Sequence, residues 1–193
     1  MFKYLTLLAL SATAVASPAL AQDARTFSGP RIEGIVGYDN ARVEGEGADG
    51  VNYGIGLGYD IQRGRGVFGI EAEAGDSSAD ECIQGVNVAN DELCAGARRD
   101  LYIGGRAGAV VAPNVLLYGK AGYTNARFAL DYDDGGTGTT NFSLRDNLDG
   151  VRVGAGVEVA LSPNAFVKAE YRYSNYEQGF SRNQGVAGFG FRF

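Results

Sequence analysis

The sequence predicts an all-β fold, an eight-stranded antiparallel up-and-down transmembrane β-barrel. Three observations predict it. Apolar and polar residues alternate with a period of two along most of the chain, the connections between these stretches are short and long by turns, and the chain ends on Phe189, Phe191 and Phe193. A period of two places successive side chains on opposite faces of a strand. Tight turns on one side and long loops on the other are the pattern of barrels in a Gram-negative outer membrane.

The first 21 residues read as a cleaved secretory signal peptide. Lys3 gives a positive start, Tyr4 to Ala16 an uncharged apolar run, and Ala19-Leu20-Ala21 a small-residue cleavage site before Gln22. The run of about 13 residues is short for a spanning helix, which needs roughly 20. Losing Lys3 turns the net charge of −6 into −7. Residues 22–30 form a short N-terminal lead, and residues 31–193 form the barrel domain.

Strands are expected at 31–40, 51–61, 66–75, 98–112, 115–126, 150–161, 165–176 and 184–193. In the second, Val51, Tyr53, Ile55, Leu57, Tyr59 and Ile61 share one face, and Asn52, Gly54, Gly56, Gly58 and Asp60 the other. In the sixth, Val151, Val153, Ala155, Val157, Val159 and Leu161 oppose Arg152, Gly154, Gly156 and Glu158. Tilted strands of about ten residues cross a bilayer. Residues 62–65, 113–114 and 162–164 are tight turns, while 41–50, 76–97, 127–149 and 177–183 are longer polar loops. An even strand number returns the C-terminus to the short-turn, periplasmic side. A spanning chain without apolar helices must close as a barrel, because lipid cannot satisfy open strand edges.

The polar faces carry Arg31, Glu33, Glu71, Glu73, Arg106, Lys120, Arg152, Glu158, Lys168, Glu170, Arg172 and Arg192, with Asp60 and Asp100 as further acids. Glycines alternate with these charges. On a wet outer surface they would weaken strands without gain; inside a narrow barrel they make room for a neighbour's long side chain. An eight-stranded barrel is just wide enough for side chains to fill. The charges are therefore expected to pair across a plugged lumen, since an unpaired buried charge is costly. Tyr38, Tyr53, Tyr59, Phe68, Tyr123, Tyr171, Tyr173, Phe189, Phe191 and Phe193 then face lipid. The inverse arrangement, an apolar interior and a polar exterior, would make a secreted barrel for apolar ligands.

Cys82 and Cys94 are the only cysteines. An even pair in an exported chain reads as a disulfide; two thiols with no histidine fall short of a zinc site. No metal or cofactor is expected.

The chain resembles the small outer-membrane β-barrel proteins related to the transmembrane domain of outer membrane protein A and to the opacity-type porin family. The resemblance rests on Arg31-Ile-Glu-Gly-Ile-Val-Gly-Tyr38, Tyr102-Ile-Gly-Gly-Arg-Ala-Gly108, Leu117-Tyr-Gly-Lys-Ala-Gly-Tyr123, Gly154-Ala-Gly-Val-Glu158, Lys168-Ala-Glu-Tyr-Arg-Tyr173 and the phenylalanine end. It implies insertion by the outer-membrane assembly machinery, which reads the last strand, with Phe189, Phe191 and Phe193 as the signal. It fixes no activity, because that family spans structural proteins, adhesins and porins. No peptidoglycan-binding domain follows the barrel, so no cell-wall anchor is expected.

Catalysis is not expected. The absence of histidine removes Ser-His-Asp chemistry. Glu71 and Glu73 share a strand face, with Glu158 and Glu170 expected in the same layer, but basic neighbours make ion pairs of them rather than acid–base catalysts. The long loops are acidic, with Glu44, Glu46 and Asp49, then Asp76, Asp80, Glu81, Asp91 and Glu92, then Asp131, Asp133 and Asp134. Asp131 to Gly136 invites a calcium reading but lacks the full loop pattern, which leaves solvated loops near lipopolysaccharide. The acidic balance argues against nucleic acid. The expected partners are outer-membrane lipid, lipopolysaccharide and the assembly machinery. The expected function is non-enzymatic, either envelope integrity or surface interaction through the long loops; a narrow porin, an adhesin and the secreted apolar-ligand barrel are the alternatives.

Overall fold

Alternating side chains can satisfy lipid outside and a polar lumen inside only if every membrane-spanning strand is paired on both edges, and the ring strands achieve this. A computed structural model describes residues 26–43, 46–78, 80–84, 92–133 and 142–193. The signal segment, its cleavage site and residues 22–25 lie outside the described residues, as do the side chains of Asp131, Asp133 and Asp134. The strands are β1 (Gly29–Val43), β2 (Glu46–Arg63), β3 (Gly66–Ser77), β4 (Asp80–Gln84), β5 (Glu92–Ala112), β6 (Val115–Asp133), β7 (Phe142–Ala160), β8 (Ala165–Tyr176) and β9 (Ser181–Arg192). Consecutive strands pair antiparallel except β3 and β4; β3 pairs instead with β5, and β1 pairs with β9, so eight strands close a ring. The short β4 lies outside the ring and, among the described residues, pairs only with β5.

Several strands run beyond their sequence bounds. β5 and β6 stay paired from Ala112↔Val115 out to Glu92↔Asp133, and β6 and β7 out to Tyr132↔Phe142. Much of the predicted loops 76–97 and 127–149 is therefore strand. Hydrophobic alternation stops where the outward face leaves the lipid, but backbone pairing needs no apolar side chain and continues. At the other end, Gly64 sits at φ 59° in the β2–β3 turn, a conformation that favours glycine.

The outward faces are apolar, and all ten aromatics expected to face lipid are exposed there. The inward faces carry the charges. This is the opposite of an apolar-ligand barrel. Two small apolar clusters close the interior. Phe27, Val67, Leu116 and Tyr118 pack together toward the short-turn end, and Ala126, Leu148, Tyr176 and Phe180 toward the long-loop end. Phe27 falls within the predicted N-terminal lead, yet it is fully buried. Its N–H donates to Gln62 Oε1 at 3.0 Å, and Gln62 N–H in turn donates to Ser28 Oγ at 2.9 Å.

Candidate functional site

Strand register sets the lumen by facing long charges with glycine. Arg31 pairs with Gly58 and Glu33 with Gly56 across β1–β2. Asp60 pairs with Gly69 across β2–β3, and Glu170 with Gly156 and Arg172 with Gly154 across β7–β8. A Cβ on Gly58 would lie 2.8 Å from the Arg31 guanidinium, and one on Gly69 only 2.0 Å from Asp60 Oδ1. The glycines thus make the space that the charges occupy.

All twelve charges predicted for the lumen are buried there, and they sort into layers. Nearest the short turns, Asp60 accepts hydrogen bonds from three arginines: Arg31 Nε at 3.1 Å, Arg106 Nε at 2.8 Å and Arg192 Nη2 at 2.9 Å. Arg106 also pairs with Glu158 at 2.9 Å, and Arg192 with Glu158 at 3.0 Å. The Arg192 guanidinium stacks 5.5 Å from the Phe27 ring and 5.3 Å from Phe166. In the middle, Lys120 Nζ meets Glu71 at 2.7 Å, Glu73 at 2.8 Å and Glu170 at 3.1 Å. Lys168 Nζ meets Glu33 at 2.7 Å. Arg172 pairs with Glu73 at 2.9 Å and with Glu170. Arg31 links this layer to the one below through Glu33, at 2.9 Å, and Glu71. Toward the long loops, Arg152 holds Asp100 at 2.6 Å.

Glu158 departs from expectation. It does not join Glu71, Glu73 and Glu170 but sits with Asp60, because Arg106 bridges the two acids. Three carboxylates therefore surround Lys120, and none of them is a free acid–base pair.

Sequence reasoning missed Asp39 and Arg182, which form the outermost lumen layer. Arg182 Nε donates to Asp39 Oδ1 at 2.8 Å, and Ser77 Oγ to Asp39 Oδ2 at 2.7 Å. Arg182 lies within 177–183, which the sequence predicts as a loop, although it shares the parity of Gln184 and Arg192. That parity was the available signal, as it was for Asp39 from Arg31 and Glu33. With these two and the pair Asp60 and Asp100, the buried lumen holds eight basic and eight acidic side chains, a formally neutral set. Lumen aromatics were missed as well. Tyr118 OH donates to Glu170 at 2.6 Å, and Lys120 Nζ lies 4.4 Å from the centre of the Tyr102 ring.

Cys82 and Cys94 form a disulfide and sit directly opposite one another on β4 and β5. Phe189, Phe191 and Phe193 project outward, Phe193 the most exposed. Among the described residues no cluster of three or more metal-ligating side chains is present.

Comparison with known proteins agrees with this architecture. Residues 5–193 match the outer membrane protein beta-barrel domain family. The 22 kDa outer membrane protein of Rhizobium leguminosarum bv. viciae is 32% identical over 163 residues, covering 76% of this chain and 70% of that protein. Among solved structures, Ail, the attachment invasion locus protein of Yersinia pestis, superposes with a TM-score of 0.59 at 16% identity, over 86% of this chain and 100% of that one. Neisserial surface protein A superposes with a TM-score of 0.59 at 18% identity, over 86% and 98%. At such identities what is shared is the fold. The closed ring, the inverted polarity and the match across nearly the whole sequence together place this chain in the outer membrane protein β-barrel domain family, as an outer-membrane protein.

Proposed function

We propose that this chain is a non-enzymatic integral outer-membrane protein whose barrel is a closed plug. It serves envelope integrity or surface interaction through the segments 41–50, 76–97, 127–149 and 177–183. It is exported by a signal peptide cleaved before Gln22. The observation that carries this reading is the neutral set of eight cations and eight anions filling the lumen. A channel needs a continuous aqueous gap. The cavity beside Glu73, Asp100, Arg152 and Arg172 has a volume of about 10 Å³, room for at most about one water. Apolar clusters stand beyond the ionic layers at either end.

The test is conductance of the detergent-folded protein in a planar bilayer, with heat-modifiable gel migration reporting the folded barrel. Silence from folded protein is the expected result. Steady discrete currents that disappear when Arg106, Lys120 or Arg172 is altered would replace the plug with a narrow porin.

A further inference from the structure

On the outward wall of β5, β6 and β7 the apolar surface ends at Leu101, Tyr123 and Val151, all exposed. One step further toward the long loops, that wall turns abruptly polar. Arg99 Nη2 donates to Asn125 Oδ1 at 2.9 Å and, more weakly, to Asn147 Oδ1 at 3.5 Å. Arg127 Nε donates to the same Asn147 Oδ1 at 3.1 Å. Below them, Asp149 Oδ1 accepts from Tyr123 OH at 2.5 Å and from Asn125 Nδ2 at 2.6 Å.

These two arginines differ from those of the lumen. Each lumen arginine has a carboxylate; among the described residues, Arg99 and Arg127 have only amide partners. Two guanidiniums converging on one amide oxygen repel each other, and Arg127 keeps both terminal nitrogens uncommitted among the described residues. Arg127 stands ten positions along β6 from the lipid-facing Leu117. At about 3.3 Å per residue and a tilt of about 40°, that separation spans roughly 25 Å, the height of a barrel's apolar band. The pair therefore lies at the headgroup level of the outer leaflet. Elsewhere on this rim, pairs among the described residues include Tyr171 OH to Asn183 at 2.6 Å and Asn40 to Asp49 at 2.5 Å.

We propose that Arg99 and Arg127 form a binding site for the phosphate of an outer-leaflet glycolipid headgroup. A phosphate oxygen pair suits the planar donor fork of a guanidinium, and its negative charge removes the repulsion between the two. Asp149 is held by Tyr123 and Asn125, so the phosphate enters on the loop side of the pair. The acidic composition of the segments 76–97 and 127–149 disfavours soluble anions, and the ligand arrives laterally, from the leaflet. The inference rests on the long loops facing outward, and it is independent of whether the lumen conducts.

The experiment is native mass spectrometry of the folded protein in mixed micelles with three probes: bisphosphorylated lipid A, chemically dephosphorylated lipid A and inorganic phosphate. Retention of the phosphorylated lipid alone is expected. Arg99→Gln with Arg127→Gln should weaken it about tenfold or more, as the loss of charge-assisted hydrogen bonds implies. Arg63→Gln with Arg65→Gln, on the opposite rim, should leave it unchanged. Equal retention of the dephosphorylated lipid, or undiminished binding by the Arg99/Arg127 variant, overturns the proposal. Full displacement of the lipid by inorganic phosphate overturns the lipid as its source. The contrast between the two lipids on unaltered protein holds even if the variant does not fold.

Discussion

Asp60 accepts from Arg31, Arg106 and Arg192 at once, so no single pair in this lumen is isolated. Removing one partner from a buried ionic group leaves the others uncompensated. Arg106→Ala should therefore cost on the order of 3–5 kcal/mol, read as a lower urea midpoint for the protein in lipid vesicles. An unchanged midpoint would mean that water takes the place of the guanidinium beside Asp60 and Glu158. Glycine supplies the complementary test. A Cβ on Gly69 would sit 2.0 Å from Asp60 Oδ1 and 2.8 Å from the Tyr59 carbonyl oxygen, whereas a Cβ on Gly34 meets nothing within 4 Å. Gly69→Val should destabilise the barrel by about 1–3 kcal/mol, the usual penalty of overpacking, while Gly34→Val on the outer wall should not. Equal midpoints for the two variants would refute the role given to lumen glycines.

At the scale of the element, β4 and the outer ends of β5 to β7 reach past the lipid-facing wall. They hold together by backbone pairing and, at one point, by the Cys82–Cys94 disulfide. That link spans 12 residues in sequence and constrains its own hairpin far more than the ring. Cys82→Ser with Cys94→Ser should speed proteolytic cleavage near residues 80–94 and leave the unfolding midpoint of the barrel in place. A large fall in that midpoint would show that β4 supports the ring. A different role is proposed for the last strand. Deleting Phe193 should slow assembly in cells, because Phe189, Phe191 and Phe193 are proposed as the assembly signal. Stability of barrel already folded in detergent should change little, since Phe193 is 73% exposed. Normal insertion of the truncated chain would remove that role.

Across the whole molecule, charge is sorted by place. The lumen is neutral, and the segments 41–50, 76–97, 127–149 and 177–183 together hold fourteen acidic residues against three basic ones besides the lumen's Arg182. A neutral interior can be desolvated without leaving a net charge in a low-dielectric wall. Long-range pairing also fixes which strands meet. Lys168 and Glu33 are 135 residues apart in sequence, and Arg172 and Glu73, in the same layer, are 99 apart. Such contacts form only once β1 and β9 close the ring, so a chain with a slipped register would bury charges against the wrong neighbours.

The sequence by itself determined the number of ring strands, the face each residue takes and the placement of charge inside. Parity alone decides which side of a strand a side chain occupies, and lipid requires the outer side to be apolar. Parity also contained Asp39 and Arg182, but their hydrophobic context had already ended, and a reading led by hydrophobicity stopped short of them. Only the tertiary structure decided which charges meet, that Glu158 belongs with Asp60, and that Phe27 packs into the closed end. It alone brought Arg99 and Arg127 together on Asn147. The reason is geometric: pairing across a lumen or along a wall depends on the stagger and closure of eight strands, and no local pattern encodes the relative offset of residues a hundred positions apart.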